Sequence, residues 1–203
     1  MFKIDTECVQ AGYTPKNGEP RVLPIYQSTT FAYDTPEEMG ALFDLKAEGF
    51  FYTRLGNPTI DALEKKIAAL DGGIGAMCCA SGMAATALTA LNLCRAGDNV
   101  VSLSTIYGGT FNLFSTTLPK YGVTCRFVAP TATAEEIESL IDERTKMIFC
   151  ETIANPAMAV SDFEKLSKIA KKHGIVLAVD NTLATPIICR PISFGADIVV
   201  YSS

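Results

Sequence analysis

From Asn57 onward, short runs of apolar residues alternate with longer segments that are apolar on one side only. Asn57-Pro58 opens the first longer segment, in which Ile60, Leu63, Ile67 and Leu70 recur at helical spacing until Gly72-Gly73 closes it. An apolar strand is predicted over residues 74–79 and a helix over 82–93. Further strands are predicted over 99–103, 123–128, 147–150, 175–179 and 197–201. Helices are predicted over 109–118, 135–140 and 162–173, the last closed by Gly174. Strands without polar alternation are buried on both faces, and amphipathic helices between them are the elements that bury them. The pattern therefore predicts an α/β fold, with a mostly parallel sheet and helices on both faces.

The first 56 residues do not follow this pattern. Gly12-Tyr13-Thr14-Pro15-Lys16-Asn17-Gly18 and Pro24-Ile25-Tyr26-Gln27 read as turns and extended pieces with little to bury. One helix is predicted from Pro36 to Lys46, with Thr35 as cap, Pro36 in the first turn and Glu38 completing a capping box. The expected organisation is an arm over 1–56 and a domain over 57–203. Such an arm needs a surface to lie on, either its own domain or a second subunit. The last predicted strand ends two residues before Ser203, so the fold is expected to continue past this point.

Composition narrows the classes. With 203 residues, 48% of them hydrophobic, the chain can bury one sizeable core with a smaller appendage. A formal charge of −5, with Lys and Arg spread singly, offers no stripe for a nucleic-acid backbone. Seven cysteines occur without any Cys-x-x-Cys pair, and His173 is the single histidine. Cys94, Cys125, Cys150 and Cys189 close separate apolar segments, which reads as reduced, buried thiols in a cytoplasmic protein and no metal centre. Met1–Asp5 lacks an apolar stretch, so no secretory leader is expected. The uncharged run from Gly72 to Cys94 is long enough to span a bilayer. Its alanines, Ser81-Gly82, Thr86, Thr89 and Asn92 fit a strand, turn and helix better, so no membrane association is expected.

Ligands of parallel sheets sit beyond the carboxyl ends of the strands, and polar residues collect there. Ser81-Gly82-Met83 stands where a strand gives way to a helix. The free N–H groups of that helix start suit a phosphate, or Ser81 serves only as a cap. Tyr107-Gly108-Gly109-Thr110 offers an aromatic face beside glycines that permit close approach, or a core tyrosine beside a turn. Asp180 ends a wholly apolar strand, where a carboxylate is costly unless a cation or several donors meet it. A protonated pyridine nitrogen, a metal and a structural cap are the candidates. Glu151 and Asn155 follow another strand; Asn155 has the reach to donate to a ring oxygen or to make a turn before Pro156. Ser202 and Ser203 follow the last strand with hydroxyls suited to phosphate. Tyr52 and Arg54 lie in the arm, Arg54 being suited to a two-pronged phosphate contact. No Gly-x-Gly-x-x-Gly or phosphate-loop lysine is present, which weighs against a nucleotide-binding module.

The same residues resemble the pyridoxal-phosphate (PLP)-dependent enzymes of cysteine and methionine metabolism. The resemblance is carried by Pro24–Thr30, Tyr52–Thr59, Ala80–Ala85, Tyr107–Thr110, Glu151-Thr152 with Asn155-Pro156, Val179–Thr182 and Gly195–Val200. It implies the large domain of the aspartate-aminotransferase-like fold, cut before a C-terminal domain. Gly82 and Met83 would give main-chain N–H groups to the cofactor phosphate at the Ser81 turn, with Ser202 adding a hydroxyl. Tyr107 would stack on the ring as the catalytic aromatic residue, Asp180 would pair with the ring nitrogen, and Asn155 would lie near the ring hydroxyl. Tyr52 and Arg54 would reach the phosphate of a neighbouring subunit, implying a homodimer with shared sites, usually paired into a homotetramer. The Schiff-base lysine would lie just beyond Ser203. Lys168, Lys171 and Lys172 sit in a helix-surface pattern and do not replace it.

Within that family, Tyr107–Thr110 followed by Phe111–Phe114, and Ala41–Phe43 with Leu45, look like O-acetylhomoserine sulfhydrylases. The implied reaction joins O-acetyl-L-homoserine and sulfide or methanethiol, giving homocysteine or methionine plus acetate. The alternative is a methionine γ-lyase, which releases 2-oxobutanoate, ammonia and thiol. The lyases usually carry Cys where Gly109 stands here.

Overall fold

Side chains alternate faces along a strand, and here the alternation sorts the strand residues into two cores. The computed structural model describes residues 3–203; Met1 and Phe2, where the start was read for a leader, lie outside the described residues. The chain forms two units, one reaching Cys78 and the other Cys79–Ser203.

The second unit holds five parallel strands in the order β2-β1-β3-β4-β5. They are β1 (Asn99–Leu103), β2 (Thr124–Val128), β3 (Thr145–Glu151), β4 (Val176–Asp180) and β5 (Ile198–Val200). Val101, Ile148, Cys150, Leu177 and Val179 point to one face. There they meet Phe163, Leu166, Ile169 and Ala170 of a helix over Phe163–His173. Val100, Met147, Phe149, Ala178 and Val200 point to the other, against Ala90 of a helix over Gly82–Leu93 and against Phe114 and Leu118. Phe114 meets Phe149 edge-on at 5.0 Å between ring centres. The α/β reading with helices on both faces holds.

The helix ends follow their local chemistry. In the first unit α1 spans Ile4–Gln10, α2 Pro36–Phe43 and α3 Pro58–Asp71. Thr35 and Glu38 form the expected capping box on α2, which ends earlier than the sequence pattern implied. Asn57 Oδ1 accepts the Thr59 N–H at 2.9 Å, and Gly72 closes α3 at φ 73°. In the second unit, α4 is Gly82–Leu93, α5 Gly108–Asn112, α6 Ala134–Glu138, α7 Phe163–His173 and α8 Thr185–Ile188. Asp162 caps α7 through the Lys165 N–H at 3.0 Å.

Two expectations fail for identifiable reasons. Residues 74–79 form no strand, and Ile74 and Met77 are exposed. A strand exists only when a neighbour takes up its N–H and C=O groups, and among the described residues no ladder forms with this segment. The helix expected over 109–118 ends at Asn112. A wider turn over Leu113–Thr117 and a tighter one over Leu118–Tyr121 follow, in which the Leu118 N–H reaches back to Leu113 O. Pro119 has no N–H to continue the ladder, and the irregular turns place both Phe114 and Leu118 in one core.

Among the described residues no helix is long and apolar enough to cross a membrane, and no group of His, Cys, Asp and Glu is placed to hold a metal. Burial pushes the Cys125 and Cys150 thiols up to about 12 and the Cys94 thiol up to about 11. Thiolate is the reactive species. Iodoacetamide applied to the native protein is therefore expected to label exposed Cys79 well before these three, which should react only on unfolding. Mass spectrometry of the labelled peptides checks this, and native labelling of Cys150 at the Cys79 rate would contradict the sealed sheet.

Candidate functional site

The chain leaves β1 for β2 on one side, then returns to build β3, β4 and β5 on the other. Loops leaving β1 and β3 therefore depart in opposite directions at the carboxyl edge where the strand order reverses, the place where sheets of this kind take their ligands. Glu151 ends β3 in register with Asp180, which ends β4 in register with Val200 of β5. Three strand ends thus deliver two carboxylates and the segment before Ser202 to one level.

Tyr107 precedes α5 on the β1 side and is about half exposed (49%). Its N–H donates to Glu151 Oε1 at 2.6 Å, and the Asn155 N–H donates to Glu151 Oε2 at 3.0 Å. Glu151 is 6% exposed, and burial raises its pKa above the usual carboxylate value, the two N–H donors opposing that rise and Asp180 adding to it. The Asn155 side chain lies on the exposed loop after β3.

Asp180 is partly buried, and its Oδ1 accepts the Thr182 N–H at 2.9 Å. Thr182 Oγ1 in turn accepts the Ser202 N–H at 2.9 Å. Beneath this turn Asn181 is fully buried, donating to Cys189 O and Tyr201 Oη and accepting from the Thr152 hydroxyl at 2.6 Å. No salt bridge among the described residues involves Asp180. A carboxylate at the end of the apolar strand β4 thus has one main-chain donor and, among the described residues, no protein cation within salt-bridge distance.

At the start of α4, Ser81 Oγ accepts the Ala84 N–H at 3.1 Å, so this hydroxyl serves as the helix cap. Gly82 passes so close to Ser202 that a Cβ there would stand 2.5 Å from Ser202 Cβ and 2.9 Å from its Oγ. The helix start and the Ser202 hydroxyl therefore share one spot, which suits an anion. The Thr110 hydroxyl approaches Met83 Sδ at 3.8 Å. A Cβ on Gly109 would lie 2.6 Å from Tyr107 Cε1 and 3.2 Å from Met83 Sδ, so Gly109 sits between those two side chains.

Ser81, Gly82, Met83, Tyr107, Asn155, Asp180 and Ser202 thus belong to one unit and one sheet edge. Glu151 links Tyr107 to Asn155, Thr182 links Asp180 to Ser202, and Asn181 braces the turn beneath them; the sequence alone assigns none of these three a role. Only their position next to strand ends could have flagged them. Tyr52 and Arg54 belong to the first unit. There the Arg54 guanidinium lies 5.0 Å from the Tyr52 ring centre, and the two line an open concavity of about 420 Å³ with Tyr26–Thr29 and Thr53. The Thr30–Tyr52 bridge and an Asn57 Nδ2 bond to Tyr26 O at 3.0 Å hold its two walls together.

A helix start suited to an anion, a half-exposed tyrosine and a carboxylate lacking a protein cation among the described residues fit the phosphate, ring and pyridinium nitrogen of PLP. This parallel sheet with its loaded carboxyl edge is the large domain of a PLP-dependent transferase fold. The sequence profile of the Cys/Met metabolism PLP-dependent enzymes matches residues 5–203, and the chain belongs to that family. It is 44% identical over 203 residues to a homocysteine/cysteine synthase of Kluyveromyces lactis, covering 98% of this chain and 46% of that protein. It is 42% identical to O-acetyl-L-homoserine sulfhydrylase 1 of Thermus thermophilus, covering 99% and 48% respectively. A Campylobacter jejuni O-acetylhomoserine (thiol)-lyase crystal structure superposes with a TM-score of 0.94 at 39% identity, over 100% of this chain and 50% of that one. That structure carries a pyridoxyl-lysine phosphate at position 205. The chain spans about half the length of the relatives it matches.

Proposed function

We propose that the full-length protein catalyses γ-replacement on O-acetyl-L-homoserine, joining sulfide or methanethiol to its carbon skeleton with release of acetate. Bound PLP would supply an electron sink for carbanions formed next to the amino group. Asp180 would keep the ring nitrogen protonated, its carboxylate stabilised by that charge and by the Thr182 N–H. The main-chain N–H groups of Gly82 and Met83 and the Ser202 hydroxyl would hold the phosphate. Tyr107 would lie on the ring, its Oη placed to take a proton from the incoming amino group. Asn155 would lie near the ring hydroxyl, and Tyr52 and Arg54 would reach the phosphate of a neighbouring subunit through the 1–56 arm. That arrangement would make homodimers with shared sites; by resemblance to the family these would pair into homotetramers, and the buried thiols suit the cytoplasm. A lysine just beyond Ser203 would carry the cofactor, a reading supported by the pyridoxyl-lysine of the Campylobacter relative, and would also shuttle protons.

The observation that carries this reading is Asp180, the last group of an apolar strand, level with Glu151 and lacking a protein cation. Gly109 favours replacement over elimination because the lyases usually carry Cys at this position, and a side chain here would need the Tyr107 ring to move. The deciding experiment supplies O-acetylhomoserine with sulfide in one reaction and methionine alone in another. Homocysteine in the first is the expected product. If 2-oxobutanoate from methionine dominates, the protein is a γ-lyase; if the protein takes up no PLP, the enzyme reading fails altogether.

A further inference from the structure

We propose that Glu151 is a positioning residue for the cofactor ring, one carboxylate that clamps the loop bearing Tyr107 to the loop bearing Asn155 at the carboxyl ends of β1 and β3. The inference rests on the cofactor reading above and extends it to a residue outside the set placed against PLP. Its basis is geometric. Oε1 takes the Tyr107 N–H at 2.6 Å and Oε2 takes the Asn155 N–H at 3.0 Å, so both oxygens are used and each serves a different loop. The two loops leave strands where the sheet order reverses, the place at which neighbouring connections diverge and have least reason to touch.

The clamp is anchored from below. The Glu151 main-chain oxygen accepts the Ser161 hydroxyl at 2.6 Å, the residue is 6% exposed, and β3 lies between β1 and β4 in the sheet. Neutral acceptors would serve two amides less well, because charge-assisted bonds are shorter and stronger. Holding a carboxylate in a buried place is costly, and a second carboxylate, Asp180, is paired with it in register on β4. Stability alone does not call for two acids side by side at a strand end. The arrangement is intelligible if one acid meets the ring nitrogen while the other fixes the groups above and beside the ring.

Glutamine cannot copy the clamp. Its amide has one oxygen and one NH₂, so one of the two main-chain N–H groups would face a donor. Alanine removes both acceptors.

The test uses full-length protein with Glu151→Gln and Glu151→Ala, read in two ways. Hydrogen exchange of the cofactor-free protein should show the amides of Tyr107 and Asn155 exchanging about ten- to a hundredfold faster in Glu151→Ala, with one of the two affected in Glu151→Gln. PLP titration followed by visible absorbance should show binding weakened by roughly tenfold or more in both variants, while circular dichroism stays that of the parent. Amide protection and PLP affinity both unchanged in Glu151→Gln would overturn the inference. Faster exchange with unchanged PLP affinity would also overturn it, leaving Glu151 a purely structural link. A parent protein that binds no PLP sinks the cofactor reading instead, an outcome the exchange measurement keeps separate. Should Glu151→Ala not fold, the glutamine variant alone decides.

Discussion

Replacing Asp180 with Asn in the full-length protein is expected to cut turnover by about a hundredfold or more while leaving the fold intact. The carboxamide still offers an oxygen to the Thr182 N–H, which the carboxylate holds at 2.9 Å, so the Thr182–Ser202 link below it survives. What is lost is the negative charge opposite the ring nitrogen. Preorganised charge at a reacting centre typically contributes two to three orders of magnitude, or about 3–4 kcal/mol of barrier. Steady-state assays with O-acetylhomoserine and sulfide, alongside thermal melts, separate the charge effect from damage to the fold. Asp180→Glu should recover part of the loss, because the charge returns at a shifted position. Turnover within about threefold of the parent would show that this acid does not serve the cofactor.

Gly82→Ala should produce the second-largest effect, this time through shape. The added Cβ would stand 2.5 Å from Ser202 Cβ and 2.9 Å from Ser202 Cα. Neither of those atoms can rotate away, so the start of α4 and the Ser202 segment must separate. Overpacking of this kind costs about 1–3 kcal/mol, and the separation pulls apart the donors meant for one phosphate. PLP affinity is expected to fall by about tenfold or more, with the melting temperature lowered as well. Gly40→Ala in α2 is the control, since a Cβ there meets nothing within 4 Å. If Gly82→Ala binds PLP as the parent does, the helix start and Ser202 do not share a phosphate.

The elements were largely legible because their causes are local. Thr35-Pro36 with Glu38, Asn57-Pro58 and Asp162 each satisfy N–H groups within their own first turn, and Gly72 and Gly174 adopt the left-handed backbone that ends a helix. The apolar runs from Asn99 and Met147 were legible as candidate strands and became strands because they pair with each other and with β2 and β4, β3 extending one residue beyond its apolar run to take in Glu151. The run over 74–79 has the same character and formed no strand, because strand formation is settled by a neighbour rather than by composition. Pro119 was visible in the sequence, but the irregular turns before it depend on Phe114 and Leu118 sharing one core.

The site divides along the same line. Asp180, Tyr107, Ser202 and the Ser81-Gly82 turn could be picked out because each breaks an apolar pattern at a strand end, where a polar group needs a reason to be. The function of Glu151 could not, since its partners lie 44 residues upstream and four residues downstream and only the fold brings them together.

By itself, then, the amino-acid order determined the helix caps, the apolar runs from which strands can be drawn and the polar residues that follow those runs, all governed by interactions within a few residues. The tertiary structure alone decided the order β2-β1-β3-β4-β5, which strand ends became neighbours, and the contact of Gly82 with Ser202. Those outcomes depend on burying both faces of the sheet at once, and that free energy belongs to pairs of elements distant in the chain.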